Sequence, residues 1–568
     1  MDMSGPGRPL ASHLVAAAAA PAGCTISTLG KVTGLCIAKG SIFIPVSYRS
    51  VLPLILLFGG ALIILLLVAV LPRRRYPGLW AGVTVAIGLA TMIDGLVQWA
   101  NLDKSANVTI TMAGQIFYDH FSAFFVILFG AATVLGGLTS DGYLNREGLD
   151  GPEPYVFLMI CSAGAVLMAQ AAGLISLFLG LEVLSISLYV LSGYHHRRPA
   201  SGEAALKYFV LGSFSSAVFI YGAALVYGAT GSTQYVEIYT FLTSSVLIHN
   251  GVLLAGMGLL IVGLGFKVAA VPFHFWAPDV YQGAPTPFVG YMAAVAKAAG
   301  FAALVRVLML AFPTQVSNWR PIIWVLATAS VLLGGVLAIV QSDLKRMLAY
   351  SSISQAGYVL IGLQDGTSAG VQAVAFYVFT YAFMVIGTFA IVAILQGRGE
   401  ARNDLSAVRG LSARSPWLAS AMLVLLLGQA GIPLTSGFLA KWVVIEAVVS
   451  KGQYALGIIG MLGAAIAAFP YLRVALMMYV QPETRRQADE TPSEEEADAA
   501  FQHSDLQGVM GAGLVGRDSA LALRAAPTTR LRQPPATTAA IAICTLFTIF
   551  AGVSTPLLTM AHSITLPW

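Results

Sequence analysis

Residues 251–276 read GVLLAGMGLLIVGLGFKVAAVPFHFW, an apolar run long enough to cross a hydrocarbon layer, which takes about 20 helical residues. Two of its residues do not suit an inert span. Lys267 places an ammonium well inside the run, and Pro272 removes a backbone donor soon afterwards, which kinks or breaks a helix. The rest of the chain has the same character. Of 568 residues, 57% are hydrophobic and only 10% charged, where soluble domains carry about 25% charge. With a mean hydropathy of +0.79, most of the chain must face lipid or membrane-buried protein. A β-barrel would alternate polar and apolar residues in short segments, whereas these runs are unbroken. The expectation is an all-α polytopic membrane protein.

Apolar runs fall near 51–71, 77–99, 116–138, 154–171, 172–192, 204–230, 251–276, 285–312, 319–340, 345–365, 368–396, 417–449, 453–480 and 538–559, about fourteen transmembrane helices. Basic residues cluster after the odd-numbered spans: Arg73 to Arg75, Arg197 and Arg198, Lys345 and Arg346, Arg398 through Arg414, and Arg485 and Arg486. The positive-inside rule then puts those loops in the cytoplasm and both termini on the periplasmic side. Residues 1–50 read as an extension whose Ala-rich stretch ending in Cys24 superficially looks like a processed leader. The polar segment 481–537 is acidic through Asp489, Glu490, Glu494, Glu495, Glu496 and Asp498, then basic through Arg517, Arg524, Arg530 and Arg532. It cannot bury a core and is expected to be a cytoplasmic linker.

Several function classes drop out. A net charge of +5 spread over this length does not imply nucleic acid, and Cys24, Cys36, Cys161 and Cys544 are scattered without the spacing of a zinc or iron–sulfur site. Gly511, Gly513 and Gly516 have dinucleotide-loop spacing but no preceding strand. The sequon at Asn107 and the pair His195–His196 carry no functional reading.

An ionisable side chain in mid-span costs about 2.5–3.5 kcal/mol on insertion scales, so each one asks for a reason. Glu182, Lys267, Lys297 and Lys441 sit deep in spans five, seven, eight and twelve. Lys207 lies early in span six, where snorkelling to the interface explains it equally well. Arg306, Arg473 and Glu446 lie nearer span ends and read as structural. An ammonium beside a movable carboxylate can gain or lose a proton, and carrying one charge against 100 mV takes about 2.3 kcal/mol. His274, near Asp279 at the cytoplasmic end of span seven, is placed to relay protons to Lys267 or simply to cap a helix.

Breakers support a transport reading. Pro272 follows Lys267, and Gly431-Ile432-Pro433 with Gly437 precedes Lys441, so spans seven and twelve are expected to be broken helices lining a cavity. The two lie five spans apart. Five is odd, so tandem five-helix units are inverted: 154–312 (spans 4–8) and 313–480 (spans 9–13), preceded by spans 1–3 at 51–153 and followed by 538–568 with span fourteen.

The stretches that carry these residues also carry a likeness. GLEVLSISLYVLSGY (180–194), ALKYFVLGSFSSAVFIYGAALVYGATG (205–231), FKVAAVPFHFWAPDVYQGAPTPFVGYMAAVAK (266–297), DLKRMLAYSSISQAGY (343–358) and GIPLTSGFLAKW (431–442) resemble the antiporter-like membrane subunits of proton-pumping NADH:quinone oxidoreductase, respiratory complex I. Within that family the likeness is to the N type rather than the L and M types. It implies a bacterial inner-membrane subunit that couples electron transfer elsewhere to proton translocation, with Glu182, Lys207, Lys267, Lys297 and Lys441 as proton-transfer groups. It further implies that NAD, FMN, iron–sulfur clusters and quinone belong to partner subunits and none to this chain. The partners it implies are an M-type subunit and small membrane subunits such as K and J. Two other readings remain open: a subunit of a multi-subunit cation/proton antiporter, and a scaffold with no conducting path.

Overall fold

The computed structural model describes 48–71, 78–102, 109–245, 250–480, 531, 533–564 and 566, with short strands at 25–26, 36–38 and 41–43. Cys24, Arg73 to Arg75, the sequon Asn107, Arg485, Arg486 and nearly all of the 481–537 segment, with its glycines and acidic run, lie outside the described residues. So does most of the 1–50 extension.

Each of the fourteen expected runs is occupied by helix: α1 (Tyr48–Val70), α2 (Leu79–Asn101), α3 (His120–Glu147), α4 (Glu153–Gln170), α5 (Leu174–Ser192), α6 (Pro199–Thr230), the short α7 (Tyr235–Ser244), α8 (Gly251–Val268), α9 (Trp276–Gly283), α10 (Thr286–Arg306), α11 (Val316–Ile339), α12 (Leu344–Gln364), α13 (Ser368–Leu395), α14 (Leu411–Arg414), α15 (Pro416–Ala430), α16 (Ser436–Val449), α17 (Tyr454–Tyr479), α18 (Pro535–Val553) and α19 (Pro556–His562). Among the described residues, twelve helices are long and apolar enough to span a membrane. The other two expected runs are the polar-rich α12 and the pair α15 and α16. Local chemistry sets the boundaries. Asp119 and Asp343 cap α3 and α12 by accepting from Ser122 N and Arg346 N, each at 2.8 Å. Third-span residues 116–118 join a hairpin with Thr109–Thr111 instead of the helix, because the Asp119 cap starts α3 after them.

α10 and α13 are wholly enclosed and pack on one another, with α3 nearly enclosed beside them. The more exposed helices α1, α2, α6, α11, α17 and α18 surround that core. Neighbour relations recur along the chain. α4 packs on α5 and α10 while α6 packs on α8, and later α11 packs on α12 and α17 while α13 packs on α16. Close helix approach uses small residues: a Cβ added to Gly164 of α4 would lie 2.5 Å from Leu184 N of α5.

Both expected breaks are present. α8 stops at Val268, Ala269 adopts a left-handed conformation (φ 58°), and the chain passes through Pro272 before α9. α15 stops at Ala430, and Gly431, at φ 84°, turns the chain out of helix before α16 resumes.

Candidate functional site

The three deep lysines of the sequence analysis lie inside the bundle, each 3–6% exposed. Lys267 lies in the last turn of α8, and its Nζ donates to Ser185 Oγ of α5 at 2.8 Å and lies 5.5 Å from the Tyr208 ring centre. Glu182 is one turn before Ser185, so it shares that face of α5. Its Oε1 is buried without a hydrogen-bond partner. The Lys267 stem runs over Gly300 of α10, where an added Cβ would sit 3.6 Å from Lys267 Cγ. Lys297 is one turn back on the same helix, which brings the two lysines to one side of α10.

From Lys297 the polar line crosses to α12. Lys297 Nζ donates to the Ser352 carbonyl at 2.5 Å, and Ser352 Oγ lies 3.5 Å from Tyr281 Oη. One turn on, buried Gln355 donates from Nε2 to the Gln429 carbonyl at 2.9 Å and to Tyr471 Oη at 3.0 Å, and accepts from Tyr377 Oη. The Gln429 carbonyl also accepts from Lys441 Nζ at 3.1 Å, and the Ala430 carbonyl does so at 2.8 Å. Lys441 of α16 thus caps the carbonyl end of α15 across the break, with Tyr358 beneath it at 4.9 Å. Gly431 leaves room for its stem, since a Cβ there would meet Lys441 Cδ at 2.8 Å.

Lys207 is placed differently. Its side chain is 42% exposed and ion-paired at 2.8 Å to both Glu203 and Asp279, and Asp279 in turn pairs with Arg346 at 2.8 Å. That ladder ties α6 to α9 and α12 and does not touch Lys267. His274 lies in the first break, buried and stacked on Phe275. Among the described residues it makes no ion pair with Asp279. Arg306 is structural, as its position near a span end suggested. Fully buried, it forms a two-pronged pair with Asp119 at 2.7 Å on each arm and donates to the Ala169 carbonyl.

The family described as NADH:quinone oxidoreductase/Mrp antiporter, transmembrane, matches residues 171–467, just over half of the sequence. The chain belongs to that family. It is 41% identical over 372 residues to NADH-quinone oxidoreductase subunit N of Trichlorobacter lovleyi, covering 66% of this chain and 76% of the relative. It is also 41% identical over 451 residues to subunit N 2 of Roseiflexus castenholzii, covering 78% and 89%. A chain of respiratory complex I from Thermus thermophilus matches at a TM-score of 0.68 with 30% identity, covering 89% of this chain and 98% of that one. A chain of the Mrp complex from Dietzia shares the fold, with a TM-score of 0.71 at 20% identity, covering 91% and 97%.

Sequence reasoning missed two parts of this family member. Gln355 sits inside a quoted stretch but bears no charge to draw notice. At the end of the bundle that carries the basic loops, Glu400 is buried and holds four donors. Lys345 Nζ (2.8 Å) and Arg198 Nη1 (2.7 Å) donate to one oxygen, and Tyr143 Oη and Thr286 N (both 2.9 Å) to the other. Burial pushes the Glu400 carboxyl up, but the Lys345 ammonium and the Arg198 guanidinium outweigh it and hold it at about 2. Glu147 stands next to this clasp, accepting from Gly399 N at 2.8 Å and lying 3.6 Å from His195 Nε2.

Proposed function

We propose that this chain is an N-type, proton-translocating membrane subunit of a bacterial NADH:quinone oxidoreductase. What supports the reading most is the row of buried polar groups that runs from Lys297 and Ser352 to Gln355, one turn further along α12, whose amide shares the Gln429 carbonyl with Lys441. Protons are taken up from the cytoplasmic, basic-loop side toward Lys267, pass by Lys297 and leave near Lys441. Glu182, one turn from the Lys267 acceptor and with an unsatisfied oxygen, biases Lys267 as neighbouring subunits change state. Lys207 and His274 serve the uptake side. In this reading the two five-helix units are inverted repeats, both termini are periplasmic, and M-, K- and J-type subunits are neighbours in the inner membrane. NAD, FMN, iron–sulfur clusters and quinone act in partner subunits.

The test is the proton-to-electron ratio and quinone-linked NADH oxidation of assembled complex carrying Lys267→Ala or Lys441→Ala. Both quantities are expected to fall. Unchanged values in fully assembled complex would replace pumping with a scaffold role. Because the shared fold extends to an Mrp complex, cation exchange in proteoliposomes without NADH is the outcome that would favour an antiporter instead.

A further inference from the structure

Between Lys297 and Gln355 lies a cavity of about 10 Å³, the space one ordered water takes. Its polar lining is the Lys297, Gln355 and Tyr381 side chains, and Phe301, Val359 and Val378 close the rest. A buried water needs two to four polar partners, and the lining offers the Lys297 ammonium and the Tyr381 hydroxyl, the latter buried without a hydrogen-bond partner. On its far side Gln355 is fully engaged. Its amide donates to the Gln429 carbonyl and to Tyr471, while Tyr377 donates to its oxygen. The Gln429 carbonyl is the atom Lys441 also uses, so the Gln355 side chain stands between the water-sized space at Lys297 and the seat of Lys441.

Resting on the proton-translocating reading, we propose that Gln355 is a positioning residue that gates proton passage between Lys297 and Lys441, with one water at Lys297 as the fixed part of the connection. An amide neither gives up nor takes a proton readily, so with Gln355 in place no proton path joins the two lysines. When the side chain swings off Gln429, a second water fills its position. One N–H bond of the Lys297 ammonium then breaks, O–H bonds exchange along the two waters, and an N–H bond forms on a Lys441 amine that has already released its own proton. One proton moves, and nothing is oxidised or reduced. The gate is coupled to Lys441 because both side chains donate to the Gln429 carbonyl, so the charge on Lys441 sets how strongly that carbonyl holds the Gln355 amide.

The test uses intact complex in proteoliposomes and compares Gln355→Leu, Gln355→His and the parent for proton pumping rate and its solvent isotope effect in D2O. Gln355→Leu is expected to pump about tenfold more slowly, which is about 1.4 kcal/mol, with a larger isotope effect. Gln355→His, polar and long enough to reach water, is expected to restore both. Should Gln355→Leu fail to assemble, Tyr377→Phe removes the donor to the Gln355 oxygen and is expected to shift the isotope effect in the same direction. Parental pumping by Gln355→Leu while Lys441→Ala is impaired overturns the gate and leaves the proposed function standing. Parental pumping by Lys297→Ala and Lys441→Ala overturns the proposed function itself. Slow pumping with an unchanged isotope effect and no recovery in Gln355→His makes the residue merely structural and overturns the gate.

Discussion

Lys345 and Lys297 are buried almost equally, at 0% and 3% exposure, yet the protein holds them in opposite ways. Lys345 meets a carboxylate. Glu400 accepts from it and from Arg198, so charge is matched with charge, and backbone and phenol donors fill the other carboxylate oxygen. Lys297 meets a neutral carbonyl, with no carboxylate on it among the described residues. A buried ion pair with every donor placed is locked, since removing either partner strands the other in low dielectric. An ammonium on a neutral acceptor is retained at a standing cost and can shed its charge without stranding anything. The clasp therefore suits a fixed point that ties α3, α10, α12 and two basic loops together, and the lysine row suits a site that changes state.

The sharpest break of this comparison is one substitution made twice. Lys345→Met leaves Glu400 with Arg198 as its remaining counter-charge and is expected to cost about 3 kcal/mol, read as a large drop in the unfolding temperature of the detergent-purified complex or as loss of assembled subunit. Lys297→Met deletes an unpaired charge in favour of a side chain of similar length. It is expected to leave that temperature unchanged or raised while pumping is lost. Equal destabilisation by both would erase the distinction.

Acid offers a graded version. A carboxylate held below its usual 4.5 contributes stability that is whole above that value and fades as pH falls from about 4.5 through about 2. Stability measured down that range is expected to decline in the parent and to decline less in Glu400→Gln, which starts lower. The smallest effect is expected at Lys207. Its ladder is partly solvent-exposed, so Lys207→Met should alter stability by about 1 kcal/mol or less and lose that difference in high salt.

Much of the site was legible before any coordinates, for a reason that can be named. An ionisable residue in an apolar run is conspicuous because insertion penalises it, and Lys267, Lys297 and Lys441 all proved buried. Helix breakers are equally local, so Pro272 and Gly431 marked the two interruptions. Pairings between distant segments left no such mark. Glu400 reaches Arg198 across 202 positions and Tyr143 across 257, and in sequence it is one charge in a polar loop. His195 looked like an ordinary loop residue and is buried against Glu147. Lys207 was matched by likeness to the buried lysines, but its partner Asp279 keeps it at the rim. Gln355 was silent because an uncharged amide costs little enough to pass as packing.

Composition and periodicity alone determined that this chain is a bundle of membrane helices with charged groups inside and two broken spans, because hydrocarbon penalises every polar atom and every missing backbone bond one residue at a time. Only the packed bundle decided which of those charges are locked by counter-charges and which rest on neutral oxygens. That choice depends on what α3, α5, α12, α15 and the loop bearing Glu400 bring within hydrogen-bond reach, about 3.5 Å at most.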